Sequence, residues 1–589
     1  MTGQSLDKFP DSVLEVITGL LPQQSKINLA LTNYRFYRLV QPLLYETLLF
    51  TLSSALQAES EFRSSLATIV GGSNNPLVSK RTSRRIFDLR QEVLLQSLTI
   101  NEELCTYVKK VVIYTAKGER ISVGDEDTEN NEEKEDGIEE GVEQIELEDA
   151  SAANLELIEF IKKHCVNLEQ FTVIGDELNG VTGLNGADID RLKKLKRLDI
   201  DDLSYLDYLN RDSIKTLVIN KLVSHDFKIK REKEVIIEAL SRLDTLMIND
   251  DAAQVLFLQY LLEGWEPERK LKLETIKFIH YHGFNDYNII SRKQILQLLR
   301  VLDNKSLKNL EMTIGCDHMA CNCLEELMDE TILKKDFRLE KLAIQQHTVH
   351  RDHNYSEKFD FYVSDLLTKL KSRDSIRYLS ISYDTPRDFN IGNGIAGNFY
   401  KRKKLFLETL PKLKHLETLV LPHFLENVAC YEQMMSDLLW NGCKCSYCKK
   451  YLPLFDYYVM HHQYYDGLQG YLTDLISPVL FGSAGRVLSG RLINDSNLFT
   501  LQYPPLDKYW DFHEGNGITH FKEEEAEECE FNESCFKPLA KCISHFFLTY
   551  IHLYGVAVPG LKLVVMNGEY FERMKGLASE WVCVYDLGV

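Results

Sequence analysis

A short phrase recurs along the middle of the chain and limits its fold more than any other feature: apolar, two variable residues, apolar, one variable residue, apolar. Nine copies start at Leu168, Leu195, Ile214, Leu243, Leu273, Leu307, Leu339, Ile376 and Leu416, as in "LKRLDI", "LETIKF" and "LEKLAI". The last two apolar positions lie two residues apart, which on a strand puts both on one face. The starts are separated by 27, 19, 29, 30, 34, 32, 37 and 40 residues, and stretches such as "KEVIIEALSRL" and "SRKQILQLLRVL" between them carry apolar residues at helical spacing. Each unit is therefore expected to be a strand followed by a helix. One such unit cannot bury its apolar face alone, so the units must stack, and the fold class is α/β.

The phrase resembles the strand segment of leucine-rich repeats over roughly Leu168 to Phe424. The regular Asn or Cys that the family carries after each strand is missing: Asp176, Leu203, Tyr281 and Phe424 stand near those places. With uneven repeat lengths as well, the resemblance implies a degenerate leucine-rich-repeat solenoid with distorted turns. It also implies an extended concave surface on which a protein partner can be held.

Ahead of the repeats, "SLDKFPDSVLEVITGLLPQQSKINLALTNYRFYRLVQPLLYE" reads as three short helices. Pro10 suits a first helical turn and Asp11 the positive helix end, Ser25 can cap the second helix, and Asn33 can open the third. Helices this short need partners to be stable. The stretch resembles an F-box, through Leu6, Phe9 and Pro10, the "VLEVITGLLP" helix, the "INLALTNYRFYRLV" segment and the trailing "PLLYETLLF". The resemblance implies a surface for a Skp-type adaptor made by Phe9, Pro10, Val13, Leu14, Ile17, Leu20, Leu21 and Pro22, with Phe9 in place of the commoner Leu. A helical cap closing the repeat array is the structural alternative.

Together the two resemblances imply a non-catalytic substrate-recognition subunit of an SCF-type cullin–RING ubiquitin ligase. Its partners would be the Skp-type adaptor, cullin and RING subunits through it, and a protein substrate. The alternative is a scaffold of the same layout acting without ubiquitination. A zinc-dependent enzyme is a distant third, because the chain has no Gly-rich phosphate loop, nucleophile elbow or H-E-x-x-H motif.

The formal charge of −20 argues against an extensive nucleic-acid surface. Much of it sits in Asp125 to Asp149, where fourteen acidic residues face the single Lys134. That run is expected to be an exposed insertion, either solvated or facing a basic partner. No signal or transit segment and no membrane span is expected; the most apolar stretch, Phe546 to Leu561, is broken by His552 and Pro559. Thirteen cysteines, an odd number, suit a reducing compartment, cytoplasmic or nuclear.

The expected organisation is an F-box at 5–50, a helical linker and first solenoid unit at 51–120, and the acidic insertion at 121–150. The repeat array follows at 151–424, and a Cys- and aromatic-rich part at 425–589 continues or caps the solenoid.

No cofactor is required by these motifs, but "NGCKCSYCKKYLPLFDYYVMHHQYY" offers Cys443, Cys445 and Cys448 to a structural zinc ion. His461 is the expected fourth ligand, with His462 and Cys430 as rivals. Packed or exposed thiols are the alternative. "GCDHMACNC" offers a second set, Cys316, His318, Cys321 and Cys323, which would need a very tight backbone wrap.

Overall fold

The computed structural model describes residues 8–51, 67–72, 80–114, 154–174, 183–346, 355–382, 408–421 and 443–450, short gaps inside these ranges apart, and parts of 542–583. The acidic run at 125–149 lies outside the described residues, as do Leu20, Pro22, His318, Cys430, His461 and His462. The chain divides into two compact units, the first holding most residues up to Lys194 and the second those from Leu195 onward.

The first unit opens with α1 (Asp11–Gly19), α2 (Gln23–Ala30) and α3 (Tyr34–Glu46). The Pro10 carbonyl accepts the Val13 and Leu14 N–H groups at 3.0 and 3.1 Å, so Pro10 sits at the cap of α1, just before its first turn. Asn33 caps α3 as expected, its side chain accepting the Phe36 N–H at 2.9 Å. Ser25 falls inside α2, which begins at Gln23, three residues earlier than a cap at Ser25 would place it. Leu14, Phe36 and Val40 are buried where the helices meet.

The third helix runs directly into β1 (Thr47–Thr51), joined by β2 (Thr68–Gly71), β3 (Lys110–Tyr114) and β4 (Gln170–Ile174). These four strands form a parallel sheet in the order β2-β1-β3-β4. The β4 strand is the first of the nine phrases, and its neighbour "VKKVVIY" repeats the pattern, with Val111 opposite Phe171 and Ile113 opposite Val173.

The other eight phrases form β5 (Arg197–Ile200), β6 (Thr216–Ile219), β7 (Thr245–Ile248), β8 (Thr275–His282), β9 (Asn309–Cys316), β10 (Lys341–Gln346), β11 (Tyr378–Ser382) and β12 (Thr418–Leu421). They lie side by side in chain order in a second sheet of eleven strands, completed by β13 (Leu563–Met566), β14 (Glu569–Arg573) and β15 (Trp581–Cys583). Pairing is parallel from β5 to β13 and antiparallel through the last two strands. The nine phrases are therefore shared between two sheets, with the break between β4 and β5.

Register within the second sheet follows the phrase itself. Its middle apolar position runs straight across the strands: Leu198, Leu217, Leu246, Ile276, Leu310, Leu342, Leu379 and Leu419, all buried. A one-residue slip of any strand would turn its apolar set to the opposite face, so this row fixes the pairing. The opposite face is covered too: Met247, Lys277, Glu311, Ser380 and Val420 are buried. Lys277 and Glu311 form an ion pair there at 3.5 Å, with Lys277 also donating to the Asn249 side chain at 2.8 Å.

Candidate adaptor surface and metal centres

The N-terminal bundle leaves large apolar side chains in water. Leu31 is 81%, Tyr34 73% and Val16 65% exposed, and Val13, Ile27 and Tyr37 are exposed as well. Lone exposed apolar residues are ordinary, but this many on three short helices is the composition of a contact surface. The bundle is tied beneath them: Arg35 pairs with Asp11 at 2.6 Å and donates to the Phe9 carbonyl at 2.7 Å. That exposed pair orients the helices more than it stabilises them.

Of the residues implied as adaptor contacts, Pro10 and Val13 are exposed, and Phe9, Ile17 and Leu21 are half-buried. Leu14 is a correction: it is buried, and the next turn of the helix closes over it with the Thr18 hydroxyl donating to its carbonyl at 2.8 Å. It supports the surface from within. Val16, Ile27, Leu31 and Tyr34, outside the implied set, are exposed as well, although an apolar stripe on a helix is ordinarily the face that packs inward.

Two groups of cysteines converge, each on a histidine from elsewhere in the chain. In the first, the ligand atoms of Cys443, Cys445, Cys448 and His545 all lie within 4.8 Å of one another. The Cys445 N–H donates to the Cys443 thiol at 3.5 Å and the Cys448 N–H to the Cys445 thiol at 3.4 Å, so the backbone wraps around sulfur. His545 Nδ1 stands 3.6 Å from Cys445 Sγ and 3.3 Å from Cys448 Sγ.

A tetrahedral zinc ion, with Zn–S about 2.3 Å and Zn–N about 2.0 Å, would set such atoms about 3.5–3.8 Å apart. The observed spacings need only small adjustments to receive a metal ion. Burial pushes the Cys443 thiol up to about 11. Burial acts the same way on Cys445, but the Cys448 N–H, the neighbouring thiols and His545 outweigh it and bring that thiol down to about 6. The same contacts that lower this thiol favour its thiolate, the form that ligates a metal. The buried Cys448 thiol is pushed up, first by the adjacent Cys542 thiol and then by burial.

Among the described residues the fourth member of the group is His545; His461, which the sequence suggested, lies outside them. The sequence signal of His545 was there in "KCISHFF", a second short Cys-x-x-His pair about a hundred residues downstream.

The second group contains Cys316, Cys321 and Cys323, as the sequence suggested, joined by His282, with ligand atoms again within 4.8 Å of one another. His282 Nδ1 is 3.2 Å from Cys321 Sγ and 3.7 Å from Cys316 Sγ. Because β8 supplies the imidazole, the tight single-loop wrap that made this set improbable on spacing alone is unnecessary.

Among the described residues no helix is long and apolar enough to cross a membrane. These elements define a mixed α/β protein of helices and parallel sheets, with a helical N-terminal bundle and Cys/His clusters able to hold metal. No family model matches the chain. The chain is 35% identical over 321 residues to the non-SCF-type F-box protein ROY1 of Saccharomyces cerevisiae, an alignment covering 53% of this chain and 57% of that protein. The chain thus spans little more than half the length of the curated relative it matches. The likeness supports the F-box reading and overturns the expected role as an SCF substrate receptor, since the relative is by name outside that class.

Proposed function

We propose that the N-terminal helices are an F-box docking on a Skp-type adaptor, and that the chain is a non-catalytic protein-binding subunit acting outside an SCF-type ligase. The observation that carries the reading is the exposed apolar set Val13, Val16, Ile27, Leu31, Tyr34 and Tyr37 on helices that resemble an F-box. The name of the yeast relative supports the non-SCF part. The strand phrases, in register across β5 to β12 with helices between several of them, support reading the units as degenerate leucine-rich repeats. Zinc is the metal we assign to Cys443, Cys445, Cys448 and His545, because three thiols and an imidazole suit it and tetrahedral closure needs no further ligand.

The test is binding of the full chain to a purified Skp-type adaptor. Wild type is expected to form a complex, and a variant carrying both Val16→Asp and Leu31→Asp to bind at least about tenfold more weakly, roughly 1.4 kcal/mol, with an unchanged melting temperature. Equal binding by that variant would sink the surface assignment. Cullin added to the complex is expected to stay out; its stable incorporation would overturn the non-SCF reading.

A further inference from the structure

The two longest strands of the second sheet overhang their neighbours. β8 and β9 pair along eight residues, from Thr275 opposite Asn309 to His282 opposite Cys316. Among the described residues, β7 accompanies β8 as far as Met247 opposite Lys277, and β10 accompanies β9 as far as Gln346 opposite Ile314.

Where β7 stops, the side chain of Gln254 takes its place. Its amide donates to the Ile279 carbonyl at 2.7 Å and accepts the Ile279 N–H at 2.9 Å, in a buried setting. At the far end of this pair, Tyr281 opposite Gly315 and His282 opposite Cys316 lie beyond the last described partners on β7 and β10. The register thus places His282 directly beside Cys316.

Cys321 and Cys323 lie at the same point, with Cys323 starting the helix Cys323–Leu327. Cys316 and Cys323 are buried. Each strand thus contributes one ligand, and Cys321 and Cys323, just before and at the start of that helix, contribute two.

We infer that His282, Cys316, Cys321 and Cys323 form a second structural zinc site that clamps the ends of β8 and β9 to the start of that helix. The ligand chemistry is three thiolates and one imidazole nitrogen, suited to a closed tetrahedral Zn(II) site with no open position for substrate. Ligation through Nδ1 is set by the geometry, since that nitrogen is the one 3.2 Å and 3.7 Å from the sulfurs. A buried hydroxyl also fits the assignment. Tyr362, on the helix Tyr355–Lys369 beside β9, is buried with its O–H unpartnered, and Cys323 lies within its electrostatic reach. A metal-bound thiolate would place a full negative charge there, where a protonated thiol offers only a weak acceptor.

The experiment uses the full chain. Metal analysis of wild type purified with zinc is expected to give about two zinc ions per chain, and one or none would overturn the proposal. A variant with Cys443→Ser and Cys445→Ser leaves the strand-end site untouched, so stripping it and titrating with Co(II) isolates that site. The expected result is one cobalt bound with thiolate charge-transfer and tetrahedral d–d bands. Absence of those bands in the folded variant, or a disulfide among Cys316, Cys321 and Cys323, would overturn it. His282→Cys supplies a check that folding loss cannot mimic: it is expected to keep full zinc stoichiometry and shift the cobalt spectrum to that of a four-thiolate site.

Discussion

The N-terminal bundle and the eleven-stranded sheet are built from the same apolar residue types and put them to opposite use. In the sheet, every middle position of the repeat phrase from Leu198 to Leu419 is buried, and the strand positions between them are largely buried as well. In the bundle, Leu14, Phe36 and Val40 suffice as a core, and Val13, Val16, Leu31 and Tyr34 stay in solvent. Apolar content alone therefore does not tell scaffold from contact surface. Periodicity does: the sheet repeats one spacing with every position matched by a neighbour, whereas three short helices have more apolar faces than they can cover among themselves.

The sharpest way to break this contrast is to disturb the sheet where burial is costliest. Glu311 sits on β9 and Lys277 on β8, register partners, both almost wholly buried. Glu311→Ala removes the carboxylate and leaves a buried ammonium, beside the Asn249 side chain, without its ion-pair partner. We expect a loss of about 3–5 kcal/mol, read by urea unfolding of the second unit's signal, because an uncompensated buried charge costs more than the pair contributes. A loss below about 1 kcal/mol would mean that water reaches this face, and the sheet would then resemble the bundle.

A smaller effect is expected at Gln254, whose amide completes the edge of β8. Gln254→Leu keeps most of the volume and deletes both hydrogen bonds to Ile279, leaving a buried N–H and a buried carbonyl unsatisfied. The expected cost is about 2–3 kcal/mol, with faster amide exchange at Ile279 as the local readout. Unchanged exchange would show that this end of β8 does not depend on this side chain.

How far these features were legible in the sequence follows from how local they are. The nine strands were readable because each carries its signal in six consecutive residues. The division between β4 and β5 was not, since the same phrase serves in both sheets and pairing partners are a tertiary choice. Cys443, Cys445 and Cys448 announced a site by spacing, whereas His545, about a hundred residues away, carries only the short Cys-x-x-His signal it shares with Cys542, which does not say what it joins. His282 lay within reach of the sequence. The phrases at Leu273 and Leu307 start 34 residues apart, the same offset that separates His282 from Cys316. In-register stacking would have set the two side by side. The helical caps followed the same logic: Asn33, whose bond is three residues away, was readable, and the exposure of Leu31 was not, because exposure depends on what fails to pack over it.

The smallest expected effect is at Leu31 itself, and it tests the bundle's side of the contrast. Leu31 follows α2 and keeps one local backbone bond, its N–H donating to the Ile27 carbonyl at 3.1 Å. With four-fifths of its surface in water, its side chain has little burial to lose. Leu31→Ser should therefore change unfolding free energy by no more than about 0.5 kcal/mol, against the roughly 2–5 kcal/mol that a buried sheet leucine such as Leu310 would lose on truncation to alanine. The same substitution should weaken adaptor binding, because an exposed leucine that contributes nothing to the fold gains its burial from a partner. If instead Leu31→Ser lowers stability by more than about 1 kcal/mol and leaves binding untouched, Leu31 is part of the bundle's own core in solution. The surface reading would then have to rest on Val13, Val16, Ile27, Tyr34 and Tyr37.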